Sequence, residues 1–292
     1  MTQTQTIKHI LQTATSLLGT QEANVEAQLL LQHVLNINRA WLIAHEGDAL
    51  QANIHAAYRA LINRRLNGEP IAYILGYREF YGLKLNVTAD TLIPRADTET
   101  LVDAALAKID LLLSPSRQPS PTLGGGTFSI LDLGTGTGAI ALAIAKNRPQ
   151  AFVTAVDASE NALKIAQENA KNLSIANVKF VQSNWFGALQ NEKFDVIVSN
   201  PPYIEQNDAH LSQGDLRFEP SSALVSGEDG LDDIKHIIAN APMRLHPHGC
   251  LLLEHGYNQA LAVAALLKSA GFTEIETIKD LGGNDRVTLG KF

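Results

Sequence analysis

From Thr127 onward, apolar runs with the character of strands alternate with longer stretches of helical periodicity. The predicted strands are 128–133, 152–157, 178–182, 194–199, 249–254, 274–278 and 286–289, and the intervening helices include 139–147, 159–172, 231–245 and 258–270. This alternation predicts a parallel sheet covered by helices on both faces. The last two strands have no helix between them, which predicts a hairpin that places one antiparallel strand at or near the sheet edge.

Before residue 127, apolar residues recur with two other spacings. Apolar residues recur at helical spacing in 7–18, 22–35 and 54–66, which predicts a small helical bundle. Between Phe80 and Pro94 the period changes to two, with a turn at 88–90 and a returning strand at 91–93, as in a β-hairpin.

Together these patterns predict an α/β protein with three parts. They are a helical domain at 1–78, a β-hairpin linker at 79–96 and a Rossmann-like α/β domain at 97–292. From this two-domain architecture we expect the helical domain to be the substrate-recognition domain. The segment 114–126 is rich in Pro, Ser and Gly, so we expect a surface loop there and not a domain boundary.

Composition limits the class of protein. With 45% hydrophobic and 18% charged residues, the chain is expected to fold, and its apolar runs are too short to cross a bilayer. The first six residues lack the features of a targeting signal, and the single cysteine, Cys250, excludes a disulfide framework or a Cys-based zinc cluster. We therefore expect a cytoplasmic monomer with no metal and no membrane partner. The net charge of −7 disfavours a DNA substrate, because phosphate binding needs basic patches.

A glycine loop follows the first predicted strand of the α/β domain and opens a helix. Its five residues are Gly134, Thr135, Gly136, Thr137 and Gly138. Glycines at these positions allow a tight turn and let a ligand approach the backbone without a Cβ in the way. With Ala139 in the last position, the loop also matches the dinucleotide-binding fingerprint.

Two further residues fit a nucleotide-containing cofactor. Asp157 ends the second strand, about 20 residues beyond the glycines, where an acidic side chain can accept hydrogen bonds from ribose hydroxyls. Trp185 follows the third strand and can stack on an adenine, although a place in the core is the alternative. These features fit S-adenosylmethionine and NAD equally well.

The chemistry is indicated by Asn200-Pro201-Pro202-Tyr203, which follows the fourth strand directly. In a doubly wound sheet this loop faces the glycine loop across the crevice. An amide or aromatic amine nitrogen is a poor nucleophile because its lone pair is delocalised. An enzyme must therefore hold its N–H bonds and turn the lone pair toward the methyl group of S-adenosylmethionine. Asn200 and Pro201 can supply carbonyl acceptors, and Tyr203 can stack on the planar group and stabilise developing positive charge.

Asn-Pro-Pro-Tyr after such a strand resembles the amino-methyltransferases, and three other stretches resemble one branch of them, the release factor glutamine N5-methyltransferases. Those stretches are 76–82, 92–102 and 218–230. The resemblance implies methyl transfer from S-adenosyl-L-methionine, with S-adenosyl-L-homocysteine as product, to the glutamine of the Gly-Gly-Gln motif in class I peptide chain release factors. It assigns the glycine loop, Asp157, Trp185 and Asn200 to the cofactor, and Asn200, Pro201, Pro202 and Tyr203 to the glutamine.

The sequence departs from the family pattern at three places. Ala96-Asp97 replaces the more common Pro-Glu, Asn184 replaces an Asp before Trp185, and the loop at 114–126 resembles an insertion. Glu254 and His255 end the fifth strand, where they could contact substrate or simply be solvated.

Three other functions remain alternatives. A DNA adenine N6-methyltransferase would carry a basic recognition region after the fourth strand, whereas residues 205–233 contain eight acidic residues and Arg217. A cofactor-binding scaffold would not need Asn200 to Tyr203. A nicotinamide oxidoreductase would need an acid or base for hydride transfer, which nothing after the fourth strand supplies.

Overall fold

The computed structural model describes residues 6–113 and 128–292, so the loop expected at 114–126 lies outside the described residues. The chain divides into two units. One comprises the chain up to Tyr77 together with Ser212–Phe218, and the other comprises Arg78–Leu211 and Glu219–Phe292. The segment Ser212–Phe218 belongs to the first unit although in sequence it lies between strands of the second unit, and no local sequence pattern predicts this.

The first unit is helical. Its helices are α1 (Ile7–Leu18), α2 (Ala23–Leu35), α3 (Arg39–Ala44), α4 (Ala52–Leu66) and α5 (Ile71–Leu75). The sequence did not predict α3 and α5, because helices of six and five residues are too short to establish a period. Their packing surrounds a core that includes Ile10, Leu30, Leu31, Tyr58 and Ile62.

A nearly buried ion pair joins parts of this unit that are distant in sequence. The guanidinium of Arg65 binds Glu26 at 2.8 Å and Asp215 at 3.1 Å. Because both ends of the Arg65–Glu26 pair are largely removed from water, it is a specific structural contact and not a surface pair of small effect. The Asp215 contact connects the helices to Ser212–Phe218.

The second unit begins with a hairpin of β1 (Tyr77–Phe80) and β2 (Leu83–Asn86). The hairpin therefore lies earlier than the period-two pattern predicts, and the returning strand expected at 91–93 is absent from this described segment. The reason is the turn: Tyr81 and Gly82 have φ angles of 50° and 69°. Two successive residues with positive φ form the tight connection whose twist matches that of a two-residue hairpin.

A seven-stranded sheet forms the body of the second unit. Its strands are β3 (Phe128–Leu133), β4 (Ala151–Asp157), β5 (Val178–Gln182), β6 (Phe194–Ser199), β7 (Leu245–Glu254), β8 (Thr273–Lys279) and β9 (Asp285–Lys291). They are ordered β5-β4-β3-β6-β7-β9-β8, and β9 is antiparallel to both of its neighbours. The predicted Rossmann-like sheet and its antiparallel strand near one edge are confirmed.

Helices cover both faces of this sheet, as predicted. They are α6 (Glu99–Leu113), α7 (Ala139–Asn147), α8 (Glu160–Asn172), α9 (Asp232–Asn240) and α10 (Ala260–Ser269). Ile130 packs in the cluster with α6 and α7, whereas its neighbour Leu131 packs in the cluster with α9 and α10. Strands buried on both faces explain why the sequence shows continuous apolar runs there.

One helix boundary was predicted wrongly. The sequence suggested a helix to residue 245, but α9 ends at Asn240 and a short 3₁₀ turn, Ala241–Arg244, leads into β7. Pro242 explains the difference, because proline lacks the N–H that continues an α-helix and its ring clashes with the preceding turn. No helix within the described ranges is both long and apolar enough to cross a membrane.

Candidate active site

The carboxyl ends of β3 and β6 lie side by side. Leu133 pairs with Ser199 in parallel register, and the Ser199 hydroxyl donates to the Leu133 carbonyl at 2.7 Å. The next residues, Gly134 and Asn200, therefore enter the same crevice. A cavity of about 400 Å³ opens there, and among the predicted residues it is lined by Gly134, Gly136, Asp157, Trp185, Asn200 and Pro202.

The glycine loop is fastened to the neighbouring strand. The N–H groups of Gly134 and Thr135 both donate to the Val156 carbonyl at 2.9 Å. Gly134 and Gly136 have φ angles of 71° and 54°, a conformation that favours glycine. The backbone of these two glycines thus forms one wall of the cavity with no side chain between it and a ligand.

The other three predicted loop residues lie behind that wall and do not line the cavity. The Thr135 hydroxyl donates to Asp132 at 2.6 Å, and the Thr137 carbonyl accepts from Asn169 at 3.0 Å. A Cβ at Gly138 would come within 3.2 Å of the Ala166 Cβ, so the third glycine permits close packing of α7 against α8. These contacts indicate that Thr135, Thr137 and Gly138 shape the loop.

Asp157 organises the loop and also reaches the cavity. One carboxylate oxygen accepts from the Gly136 N–H at 2.8 Å, and the other accepts from the Ser159 N–H at 2.9 Å. Burial raises the pKa of this carboxyl, while those backbone N–H bonds act in the opposite direction. Each oxygen has a second lone pair that can accept from a ligand hydroxyl.

Trp185 is held in a conformation that large residues rarely adopt. Its φ angle is 49°, and its indole N–H donates to Asp233 at 3.2 Å. The Ser183 hydroxyl fixes its carbonyl at 2.7 Å. The ring lies against the open side of Gly134, where a Cβ would be 3.5 Å from the ring edge. Such strain, maintained by several contacts, is typical of a ligand site.

The residues from Asn200 to Tyr203 occupy different depths. The Asn200 amide nitrogen donates to the Thr98 hydroxyl at 3.2 Å, while Pro201 is buried. Tyr203 does not line the cavity. Burial, and next the nearby Glu254 carboxylate, raise the pKa of its phenol. The structure thus brings Asn200 and Pro202 to the cavity and leaves Pro201 and Tyr203 behind them.

A second segment holds this loop from outside. Ile204 forms a parallel bridge with Val225, and the Gln259 side chain donates to the Tyr203 carbonyl at 3.1 Å. Gly230 packs so closely that a Cβ there would lie 2.3 Å from the Tyr203 carbonyl oxygen. The stretch 223–230, which carried part of the family resemblance, therefore supports the loop that contains Asn200.

An ion pair supports the cavity wall. Glu219, whose side chain is fully buried, accepts from the Ile93 N–H at 2.9 Å and from the guanidinium of Arg95. Leu92 and Pro220, next to these residues in sequence, line the cavity. The two stretches of the resemblance that contain Arg95 and Glu219 thus meet beside the crevice.

The residues near the cavity that were not among the predicted site residues include Asp132, Thr98, Asp233 and Glu254. Asp132 is fully buried and accepts from Thr135 and from the Ala141 N–H, and burial raises its pKa to about 7. The acidic first position of the glycine motif was visible in the sequence. Thr98 and Asp233 are recognisable only through contacts made across long sequence separations.

Glu254 and His255, left open by the sequence, have different surroundings. His255 donates from Nδ1 to the Gly256 carbonyl at 2.9 Å and accepts at Nε2 from Thr288 at 2.7 Å. Burial lowers its pKa, so it is a neutral histidine within the fold. Glu254 instead lies behind Tyr203 and Thr98. Within the described ranges no cluster of acidic, His or Cys side chains is arranged to hold a metal ion.

The order of the seven strands, with β9 inserted between β7 and β8, is that of the methyltransferase fold. Residues 120–222 match the family model described as methyltransferase small domain. Among solved structures, the chain resembles a methyltransferase from Pyrococcus furiosus with a TM-score of 0.51 and 19% identity, over 78% of this chain and 96% of that one. It resembles the hMettl16 catalytic domain with a TM-score of 0.55 and 16% identity, over 77% and 82%. At these identities the likeness concerns the fold.

The particular family follows from closer relatives. Residues 9–76 match the model described as PrmC N-terminal domain. The release factor glutamine methyltransferase of Salmonella typhimurium is 49% identical over 91% of both chains, and that of Escherichia coli is 46% identical over 98% of both. The chain belongs to the release factor glutamine methyltransferase family. The alternative of a DNA adenine methyltransferase is not favoured.

Substitution at Gly230 tests the support of the Asn200 loop. Gly230→Ala adds a Cβ against the Tyr203 carbonyl and strains a φ angle of 70°, so we expect a loss of about 2–4 kcal/mol in the free energy of unfolding. Gly283→Ala is the control, since Gly283 has a φ of 83° and open space around it, and should cost about 1 kcal/mol. Denaturant unfolding measures both, and equal losses would contradict the close packing at Gly230.

Proposed function

We propose that this chain transfers the methyl group of S-adenosyl-L-methionine to the side-chain amide nitrogen, N5, of the glutamine in the Gly-Gly-Gln motif of class I peptide chain release factors. The observation that carries the proposal is the shared cavity. The β3–β6 register brings a glycine loop suited to a nucleoside-containing methyl donor and an asparagine suited to an amide acceptor into one crevice.

The residues of the cavity fit S-adenosylmethionine. Its volume falls in the range of small-molecule sites, roughly 300–1,000 Å³. Asp157 can accept from two ribose hydroxyls, Trp185 offers an aromatic face for the adenine, and Gly134 and Gly136 leave backbone accessible to the methionine portion. The bound donor supplies an electrophilic methyl group on a sulfonium, and S-adenosyl-L-homocysteine is the product.

The chain's own residues would then act by orientation. The Asn200 side-chain carbonyl and the Pro201 main-chain carbonyl would accept the two N–H bonds of the glutamine amide, so that the nitrogen lone pair faces the methyl group. Catalysis of this kind depends on positioning and on fixed dipoles, and needs no ionised base before methyl transfer, because the nitrogen can lose a proton to water after the sulfur–methyl bond has broken. Tyr203 would support the Asn200 loop from behind, because its carbonyl accepts a hydrogen bond from the Gln259 side chain.

Asp157→Ala should weaken S-adenosylmethionine binding by about 2–4 kcal/mol, because two hydrogen bonds to a charged group are lost. Asp195→Ala provides a matched control, since Asp195 also accepts a backbone N–H, that of Ser129 at 2.8 Å, but does not line the cavity. Titration calorimetry gives both dissociation constants. An unchanged value for Asp157→Ala would refute the ribose assignment.

Asn200→Ala should lower the single-turnover methylation rate by about 100-fold or more, the scale seen when one preorganised polar contact is removed, with only a modest loss of cofactor affinity. Asn200→Asp should retain more activity than Ala but less than Asn, because a carboxylate still accepts an N–H but can also stabilise the sulfonium in the ground state. Rates at saturating S-adenosylmethionine decide this. Near wild-type methylation by the Ala variant would show that the loop is structural.

The helical unit is proposed to recognise the release factor. Within that unit, α1, α2 and α3 line a groove whose residues include Leu11, Leu42 and Ile43, and the Ile43 side chain is 62% exposed. An exposed apolar side chain in a groove is a suitable contact for a protein partner. We further propose that the enzyme acts as a cytoplasmic monomer without a DNA substrate.

Ile43→Asp should raise the KM for intact release factor about tenfold or more, because a charge replaces an apolar contact at the interface. Methylation of a short Gly-Gly-Gln peptide should not change. Leu261→Asp, on the exposed side of α10, is the control, since that side chain is 88% exposed and belongs to the other unit. If Ile43→Asp leaves the KM for the intact protein unaltered, this groove is not the recognition surface.

A further inference from the structure

Two side chains, those of Asn200 and Thr98, connect the cavity to a carboxyl group behind it. The Asn200 amide nitrogen donates to the Thr98 hydroxyl at 3.2 Å. The Thr98 hydroxyl lies beside the Glu254 carboxylate and lowers its pKa through hydrogen bonding, and the phenol of Tyr203 does so to a smaller extent. Thr98 precedes α6, Asn200 follows β6 and Glu254 ends β7, so three separate elements bring this chain of contacts together.

The carboxyl group at the end of this chain is costly to the fold. Glu254 is 1% exposed, and its Oε2 has no hydrogen-bond partner among the described residues. Burial of a carboxylate opposes folding when its oxygens lack a full set of hydrogen bonds or an opposite charge. An apolar side chain would fill the same space without that cost. We therefore look for the role of Glu254 in the neighbouring loop, which contains Asn200.

The direction of the hydrogen bonds follows from the single proton of the threonine hydroxyl. An ionised Glu254 can only accept, so the Thr98 hydroxyl donates to it. The Thr98 oxygen can then only accept from Asn200, which places the Asn200 NH₂ group against Thr98. The carbonyl oxygen of Asn200 is left to face the cavity.

Protonation of Glu254 removes this constraint. A carboxylic acid can donate to the Thr98 oxygen, and the Thr98 proton can then turn to the Asn200 carbonyl. Rotation of the amide by half a turn would satisfy that bond and direct the NH₂ group into the cavity. A donor in that place would face the N–H donors of a target amide and could not hold it.

We propose that Thr98 and Glu254 are positioning residues, and that ionised Glu254, acting through the Thr98 hydroxyl, fixes the orientation of the Asn200 amide so that its carbonyl accepts the N–H of the target glutamine. This inference rests on the substrate contact assigned to Asn200 above.

The orientation has a pH dependence with a defined sign. Burial raises the pKa of Glu254 to about 7, while hydrogen bonding to Thr98 lowers it. The other groups that face it are Arg286 from β9, which lowers the pKa, Asp97 next to Thr98, which raises it, and the phenol of Tyr203, which lowers it. The ionised form is the orienting one, so methylation should fall as the pH falls through this value. The target amide does not titrate in this range.

The test compares single-turnover methylation of release factor between about pH 5.5 and pH 8.5, with saturating S-adenosylmethionine. Thr98→Val keeps the shape but removes the hydroxyl, and should lower the rate by about 10- to 100-fold at the upper end of that range. Thr98→Ser restores the hydroxyl and should return the rate to within about threefold of wild type. Thr154→Val, a buried threonine on β4, is the control and should leave the rate unchanged.

Glu254→Gln gives the decisive profile, because glutamine cannot ionise. Its amide can donate as well as accept and so does not fix the direction of the Thr98 hydroxyl. The rate should be flat across the pH range and below that of the wild type at the upper end. A wild-type pH dependence in Glu254→Gln would overturn the proposal, and so would a wild-type rate in Thr98→Val. If Thr98→Val does not fold, Thr98→Ser and the Glu254→Gln profile still decide.

Failure of this inference can be told apart from failure of the proposed function. If Asn200→Ala is impaired while Thr98→Val and Glu254→Gln behave as the wild type, Asn200 contacts the substrate but is oriented by other means. If Asn200→Ala itself methylates at the wild-type rate, the assigned contact is wrong and the orientation of Asn200 has no role in the reaction.

Discussion

Leu133 and Ser199 lie beside one another at the carboxyl ends of β3 and β6, joined by the backbone ladder and by the serine hydroxyl. Because both strands run in the same direction, the loops that follow them leave the sheet together. A register shift of one residue would move Asn200 by about 3.3 Å along the strand and turn its side chain to the other face. The proposed geometry of donor and acceptor depends on this pairing.

Two buried carboxyls stand close to this pairing. Asp132 in β3 and Glu254 at the end of β7 are each at most 1% exposed, and burial raises the pKa of both to about 7. Each has one oxygen without a partner among the described residues. Groups this costly are concentrated at functional sites, because there the field or orientation that they provide is used. The rest of the fold must offset their burial through the apolar clusters on both faces of the sheet.

The sequence predicted the sheet well because β3 and β6 are buried on both faces and appear as continuous apolar runs with sharp ends. It placed the first hairpin incorrectly, since the turn at Tyr81 and Gly82 depends on φ angles that alternation does not reveal. Within the candidate site, the glycine loop and Asn200 could be predicted from the sequence, because the residues that indicate their chemistry are adjacent to one another. Thr98 was not, because its significance lies in a contact with a residue 102 positions away.

The position of β9 has a consequence for a chain that is still being synthesised. β9 lies between β7 and β8 although it follows both in sequence. Until Asp285–Lys291 has left the ribosome, β7 presents an unpaired edge, and Leu251 to Leu253 cannot form their ladder with Thr288 to Gly290. Open apolar strand edges are templates for pairing with other chains. The edge of β7 therefore remains open to pairing with other chains until β9 is inserted beside it.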